Sequence, residues 1–539
     1  MPTPIDGLLD EFVDEQLDDS PTFASTLGAE GYDDRLDDLS AGAFEARAAR
    51  DELWIQRFGD VPDDDLALDE RIDRDLVLST LRGRAIMRDW EGWRRSADTY
   101  LSPGLYGVFT LFLQRLRPEP ELAASAAARL RGIPELLDHG RVNLKPELAN
   151  PVLVRRALGQ CQAAIRYARD LVPAELEDAG DRALVAEAGE VAAAAYESFA
   201  VFLDELAAAA TGDYAVGEVR YSALLREREL LGLDAAALRE RGQAAWEELA
   251  VRMDEVAARI DGDSGGWRDA VERLNDDHPS SPEAMRAAYE DWTERARSYL
   301  REHELVTLPE GEQCLVEPSP PFQRPVLAVA SYNRPPAFRD SRVGHFFVPF
   351  PPDGTPAEEV RKRLQTNNHS VIPSISVHEA YPGHHWHLSW AKSGTRRVRH
   401  IIGTSFFIEG WALYAELMMS EQGFFADDRQ VLGWLDSRIF RAARIIVDTS
   451  LHSGDMSFED AVTFMRERTS LTEPTARAEV GRYCAWPTQA SSYLTGSLEI
   501  ERMRERYLKE GRGTLRHFHD ALAGSGMLPL GLAERALLG

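Results

Sequence analysis

Residues Asp181–Ala210 read DRALVAEAGEVAAAAYESFAVFLDELAAAA. Apolar side chains recur there at three- and four-residue spacing, and Ala, Leu and Glu, strong helix formers, fill the positions between them. The pattern predicts a long amphipathic helix. Asp234–Ile260 repeats it, and outward from these two segments residues 1 to about 300 read as a succession of such helices, rich in Ala, Leu, Glu and Arg. Punctuation falls at Pro103-Gly104, Pro118-Glu119-Pro120, Gly212-Asp213 and the run Gly262–Gly266. Strand-like alternation is scarce, and no fixed-period repeat supports a solenoid.

The texture changes between about 305 and 355, where prolines cluster. Pro325–Ala330 and His345–Phe350 read as strands of a small sheet. Pro349, Pro351 and Pro352 put the second run at a sheet edge, since proline cannot donate to a ladder. Such an edge either holds an extended peptide by main-chain pairing or simply joins two lobes. From about 356 helices return, over Pro356–Leu364, Ile375–Tyr381, Thr404–Glu421, Asp427–His452, Ser457–Arg468 and Glu473 to about Arg506. The expected fold is mainly α: a large, two-lobed helical body with a small β-sheet near the site. Its expected divisions are a helical lobe over 1–304, a strand region lining a cleft over 305–355, and a helical catalytic region over 356–539.

At 539 residues the chain exceeds what one minimal core requires, and its 44% hydrophobic and 28% charged residues are near globular averages. Cys161, Cys314 and Cys484 are too scattered for a disulfide framework or a paired metal-ligand motif and read as small buried hydrophobes. Met1–Gly7 lacks the positive start and apolar run of a secretory signal, and no segment approaches the roughly 18 apolar residues of a membrane span. A soluble, cytoplasmic protein is the expectation, as a monomer or homodimer. A net charge of -29 repels nucleic acid and anionic lipid, so neither is an expected partner. The short run Arg396-Arg397-Val398-Arg399-His400 reads as a solvated or paired cluster.

The chemistry centres on Val377-His378-Glu379-Ala380-Tyr381-Pro382-Gly383-His384-His385. A catalytic zinc site requires imidazole and carboxylate ligands, one open position, and a nearby carboxylate for the water proton. In the common His-Glu-x-x-His arrangement the histidines lie four residues apart on one helical face, but position 382 is proline. His384 is six residues from His378, about 240° around a straight helix, so a regular helix cannot join them. Pro382-Gly383 breaks the ladder and lets the chain swing His384 back. His385, at i+7, is the rival ligand on the same face but about 10 Å along an unbroken axis. His384 is preferred.

Phe406-Phe407-Ile408-Glu409-Gly410-Trp411-Ala412-Leu413-Tyr414-Ala415-Glu416 places acids in an apolar helix, where an uncompensated carboxylate is costly. Glu409 is the expected third ligand, and Glu416, two turns on, orients a histidine or faces water; their roles are exchangeable. Glu379 diverges from His378 by about 100° and suits the general base, taking a proton from the attacking water and passing it to the leaving amine. Glu479–Gly496 is dense in donors. Tyr483 and Tyr493 are candidates for stabilising an oxyanion, and Arg482, with Gln489, for holding a substrate carboxylate. His345 is a candidate substrate contact. His387 reads as structural, and His517 and His519 receive no role.

The motif His378-Glu379-Ala380-Tyr381-Pro382-Gly383-His384-His385, the segments Glu409–Ala412 and Tyr414–Glu416, and Arg482-Tyr483 with Pro487, Gln489-Ala490, Tyr493 and Gly496 together resemble the bacterial domain-of-unknown-function 885 family. Tyr332-Asn333 through Gly344–Val348 is similar to that family's strand region. The resemblance implies a largely helical fold similar to zinc peptidases that enclose a deep channel, with His378, His384 and Glu409 as metal ligands. The chain departs at Trp486-Pro487-Thr488, where the family usually has a glycine after the proline. The resulting expectation is a Zn2+-dependent metallopeptidase acting on short peptides, of carboxypeptidase or oligopeptidase type. A metal-dependent amidase on a non-peptide small molecule and a non-catalytic helical binding protein are the other readings.

Overall fold

The structure is a computed structural model that describes residues 4–261, 265–321, 323–324, 329–394 and 396–539. The stretch 181–210 forms the helix Ala179–Ala209, started by Asp178, whose side chain accepts from the backbone N–H groups of Gly180 and Asp181. Val185, Ala188, Ala192, Tyr196, Phe199, Leu203 and Leu206 are buried along it, the three- and four-residue period made physical. This face packs on the helices Glu119–Asn143 and Pro151–Arg166 in a core that includes Leu130, Leu137, Val154 and Ala157. A second, larger core runs from Ile5 and Phe12 through Trp386 and Trp411 to Leu532, so helices from both ends of the chain enclose the residues around the motif.

Six helices position the motif: α1 (Ile372–Glu379), α2 (His384–Ala391), α3 (Ser405–Glu421), α4 (Asp428–Ser453), α5 (Glu473–Ala485) and α6 (Gln489–Lys509). The fold is mainly α, with one three-stranded sheet beside these helices. The sheet has β1 (Gln313–Pro318), β2 (Ser331–Asn333) and β3 (Val343–Val348) in the order β1-β3-β2, with β3 parallel to β1 and antiparallel to β2. The run around His345 is therefore the central strand and not the expected edge. Pro349 follows its last residue, so the prolines terminate the strand without occupying a ladder position. Of the run Pro325–Ala330, residues 325–328 lie outside the described residues, as do 262–264 of the glycine-rich punctuation.

One continuous helix was expected from Glu473 to about Arg506. The chain instead breaks into α5 and α6 at Trp486-Pro487-Thr488, where Thr488 adopts a left-handed backbone with φ of 71°. Arg396, Arg397 and Arg399 are paired with Asp73, Asp10, Asp14 and Asp69 of the N-terminal helices. Cys161 and Cys484 are buried, and all three cysteines are free. Among the described residues, no helix is long and apolar enough to cross a membrane.

Candidate metal centre

Helix α1 ends where Ala380 leaves the helical region at φ -114° and ψ -83°. The Tyr381–Pro382 peptide is cis. Gly383 turns the chain back, its N–H donating to the Val377 carbonyl at 3.0 Å. A Cβ at this position would lie 1.9 Å from the His378 carbonyl oxygen, so only glycine fits. The Trp411 indole fixes the turn by donating to the Pro382 carbonyl at 2.8 Å. Helix α2 then starts with His384 beside the end of α1, and the His378 and His384 rings meet edge to face with centroids 4.8 Å apart.

Glu409 reaches this pair from α3. Its Oε2 lies 3.5 Å from Nε2 of His378 and 3.5 Å from Nε2 of His384. One ligand atom from each of the three residues falls within 4.8 Å of the others. Separations of 3.5 Å are long for charge-assisted hydrogen bonds, but they match the roughly 3.3–3.5 Å edge of a tetrahedron built with zinc-ligand bonds of about 2.0–2.1 Å. Glu416, 1% exposed, faces Nδ1 of His378 at 2.7 Å and accepts from Ser374 Oγ at 2.7 Å. Glu416 fixes the Nδ1 proton of His378, so Nε2, the nitrogen that faces Glu409, is the one a metal would take. His384 lacks such support, its Nδ1 being buried with no partner among the described residues.

The electrostatics also call for a cation. Burial disfavours a charged His378, yet hydrogen bonds to Glu409 and Glu416, with the charges of Glu416 and Glu379, raise its pKa to about 10. Burial likewise opposes ionisation of Glu409, but the two imidazoles hold its carboxyl well below the usual range. The half-buried Glu379 adds a third carboxylate, pushed upward by burial and by Glu409 and downward by the two histidines. Two imidazoles and three carboxylates form a cluster with negative excess, and two neutral nitrogens plus one oxygen make the donor set of an open zinc site. The residues present fit the ion.

His385, the rival ligand, is fully buried elsewhere. Its Nε2 faces Glu312 at 2.8 Å and its Nδ1 faces the Tyr332 hydroxyl at 2.9 Å. Arg297 and Tyr381 complete the surroundings of Glu312. His345 on β3 pairs with Glu317 at 2.7 Å and stacks on Phe347. His387 is buried against Phe407 and Trp411, its pKa lowered to about 3 by burial. His519 bridges the Leu305 carbonyl and the Tyr414 hydroxyl.

Tyr483 and Tyr493 part company. Tyr483 is 1% exposed, donates to Glu479 at 2.7 Å and accepts from Arg444 at 3.0 Å, so its proton is already committed. Tyr493 is half-buried on α6, one turn before Gly496, where α6 crosses α3 so closely that a Cβ on Gly410 would lie 2.5 Å from the Gly496 Cα. That crossing places it near Glu409, whose charge, after burial, pushes the phenol pKa up. Arg482 donates to Glu479 at 2.9 Å and to Gln489, so both expected substrate contacts are held by partners within the protein. Sequence reasoning missed Arg441 and Arg444 of α4, which lie over the Tyr493 ring at 5.9 and 4.7 Å. The available signal was two arginines among the apolar residues Phe440, Ala442, Ala443, Ile445 and Ile446.

Solved structures share this architecture. A candidate lipoprotein of unknown function from Shewanella oneidensis superposes with a TM-score of 0.79 at 20% identity, covering 98% of this chain and 99% of its own. A candidate lipoprotein from Colwellia psychrerythraea does so with a TM-score of 0.85 at 18% identity, covering 98% of each chain. No curated protein matches this chain. These neighbours overturn the expectation of a cytoplasmic location, because lipoproteins are held at a membrane by attached lipid. The bacterial protein family of unknown function DUF885 matches residues 21–537, nearly the whole length, and this chain belongs to that family.

Proposed function

We propose that this protein is a zinc-dependent hydrolase that cleaves amide bonds of short peptides. The observation that carries the reading is the convergence of His378, His384 and Glu409 across a broken helix, with Glu379 adjoining them. His378, His384 and Glu409 would hold the ion, and Glu416 would keep His378 in the tautomer that ligation requires. When bound, zinc supplies Lewis acidity, polarising the scissile carbonyl and acidifying water. Glu379 takes the proton from the attacking water on its carboxylate and delivers it to the leaving amine. Burial raises its pKa, which makes the carboxylate a stronger base for the first of these transfers. Tyr493, whose phenolic proton has no acceptor in the hydrogen bonds it makes, donates to the carbonyl oxygen as negative charge develops.

Metal analysis of the purified protein, joined to mass-spectrometric scanning of a mixed peptide library, tests the reading. Near-stoichiometric zinc and cleavage that is lost on chelation and restored by zinc are expected. Zinc retention without cleavage of any peptide, amid turnover of non-peptide amides, would move the substrate class to small molecules. Neither metal nor hydrolysis would remove the proposal.

A further inference from the structure

We propose that Arg441, supported by Arg444, forms a carboxylate-binding subsite beside the metal centre, and that the enzyme takes peptides by their free C-terminal end. The inference rests on the peptidase reading and adds which end of the substrate is recognised. It begins with an imbalance of charge. Arg441, Arg444 and Arg482 gather around Tyr483 and Tyr493, and Glu479 is hydrogen-bonded to the last two of the three. Glu479 Oε2 already accepts from Arg444 at 2.8 Å, Arg482 at 2.9 Å and Tyr483 at 2.7 Å, and its Oε1 takes Arg482 Nε at 3.3 Å. Arg441 is not among its donors.

Among the described residues, Arg441 bonds only to the carbonyl and hydroxyl of Ser437 in its own helix, and its Nε is buried with no partner. Arg444 Nη1 is buried and unpartnered in the same way. The carboxylates whose charge reaches Arg441, those of Glu379, Glu409, Glu416 and Asp436, make no hydrogen bond to it among the described residues. Holding two like charges three residues apart on one helix, partly out of water, costs stability unless an anion joins them. Arg441 is half-buried and so keeps an open side.

Position ties the pair to the reaction. Both guanidiniums lie over the Tyr493 ring, and Arg441 is close enough to Glu409, Glu416 and Glu379 for their charges to act on it. A planar guanidinium matches a carboxylate with two parallel hydrogen bonds. A peptide anchored there by its terminal carboxylate presents its last amide bond toward the three ligands. An amidated end would leave the guanidinium desolvated and unpaired, which penalises that peptide by about 100-fold in affinity. Arg482, the residue that sequence alone favours for this task, is pinned by Glu479 and Gln489.

A mixed tetrapeptide library made once as free acids and once as C-terminal amides tests the proposal. Binding to zinc-loaded full-length Glu379→Gln protein, in which turnover is suppressed, is read by equilibrium ultrafiltration and mass spectrometry. The free acids should bind about 100-fold more tightly than the amides. Adding Arg441→Gln should reduce the acids to the level of the amides, and Arg441→Lys should restore part of the difference. Equal binding of the two libraries by the parent protein, including no binding of either, overturns the subsite, and so does discrimination that persists in Arg441→Gln. The parent comparison decides even if that variant fails to fold. Wild-type cleavage assays separate the two claims. Acid-selective binding without hydrolysis keeps the subsite and removes the peptidase reading, whereas hydrolysis with equal binding does the reverse.

Discussion

His384 and His385 are adjacent in the chain, yet one faces Glu409 and the other Glu312. Their substitution should separate metal binding from folding. His384→Ala removes one of the three proposed ligands, and the zinc-loaded protein should lose the ion on gel filtration while its thermal midpoint in chelator stays close to wild type. His385→Ala deletes a fully buried ring held between Glu312 and Tyr332, so it should cost roughly 2–4 kcal/mol of stability and leave zinc content near stoichiometric. Metal content by plasma mass spectrometry, measured beside thermal melts, checks both. The reverse pattern would transfer the ligand role to His385. Glu379→Gln keeps the shape of the site but cannot accept a proton. It should retain zinc while kcat falls by about 10²–10⁴-fold, and unchanged kcat would exclude Glu379 as the base.

At the scale of elements, the break between α1 and α2 is what brings histidines six residues apart to one candidate coordination site. Gly383→Ala should therefore act on the metal through the backbone. The new Cβ would meet the His378 and Val377 carbonyl oxygens at 1.9 and 2.3 Å, and neither can retreat without moving His378. A variant that folds with far-UV circular dichroism close to wild type but binds zinc at least roughly 10-fold more weakly is the expected outcome, and undiminished affinity would show the turn to be dispensable. This element was legible in the sequence because proline and glycine contradict a helix locally, and the histidines on either side give the contradiction a purpose. The place of β3 was not. Its centrality depends on parallel pairing with residues 313–318, and nothing local to Val343–Val348 encodes a partner that distant. Proline at 487 could have announced the break between α5 and α6, since it disfavours helix at the residue before it, but the apolar period on both sides masked it. Arg441 was hidden for a related reason. Periodicity shows that a segment is a helix, whereas the neighbours that leave an arginine unpaired come from α5 and α6.

Across the whole molecule, the net charge of -29 leaves 29 of the 90 acidic residues in excess over the cations, and the carboxylates that are both paired and shielded from water carry the pH dependence of stability. Glu479 is one of them, tying α4, α5 and the start of α6 through Arg444, Arg482, Tyr483 and Gln489. Burial alone would raise its pKa, but Arg444 and Arg482 lower it from the ordinary 4.5 to about 2. A carboxylate whose pKa is depressed by folding stabilises the native state fully above its unfolded value. That contribution fades as protonation proceeds, here from about pH 4.5 down to about pH 2. Glu479→Gln should thus be less stable than wild type at pH 7, by an amount on the order of 3 kcal/mol, because the buried Arg444 and the half-buried Arg482 lose their charge partner. The gap between the two proteins should narrow as the pH falls through that window, since wild type then approaches the neutral state that glutamine imitates. Denaturant melts of both proteins at intervals from pH 7 to pH 3 measure it. A gap that stays constant, or widens toward acid, would mean that Glu479 is already protonated at neutral pH and that the arginine cluster is balanced by some other group.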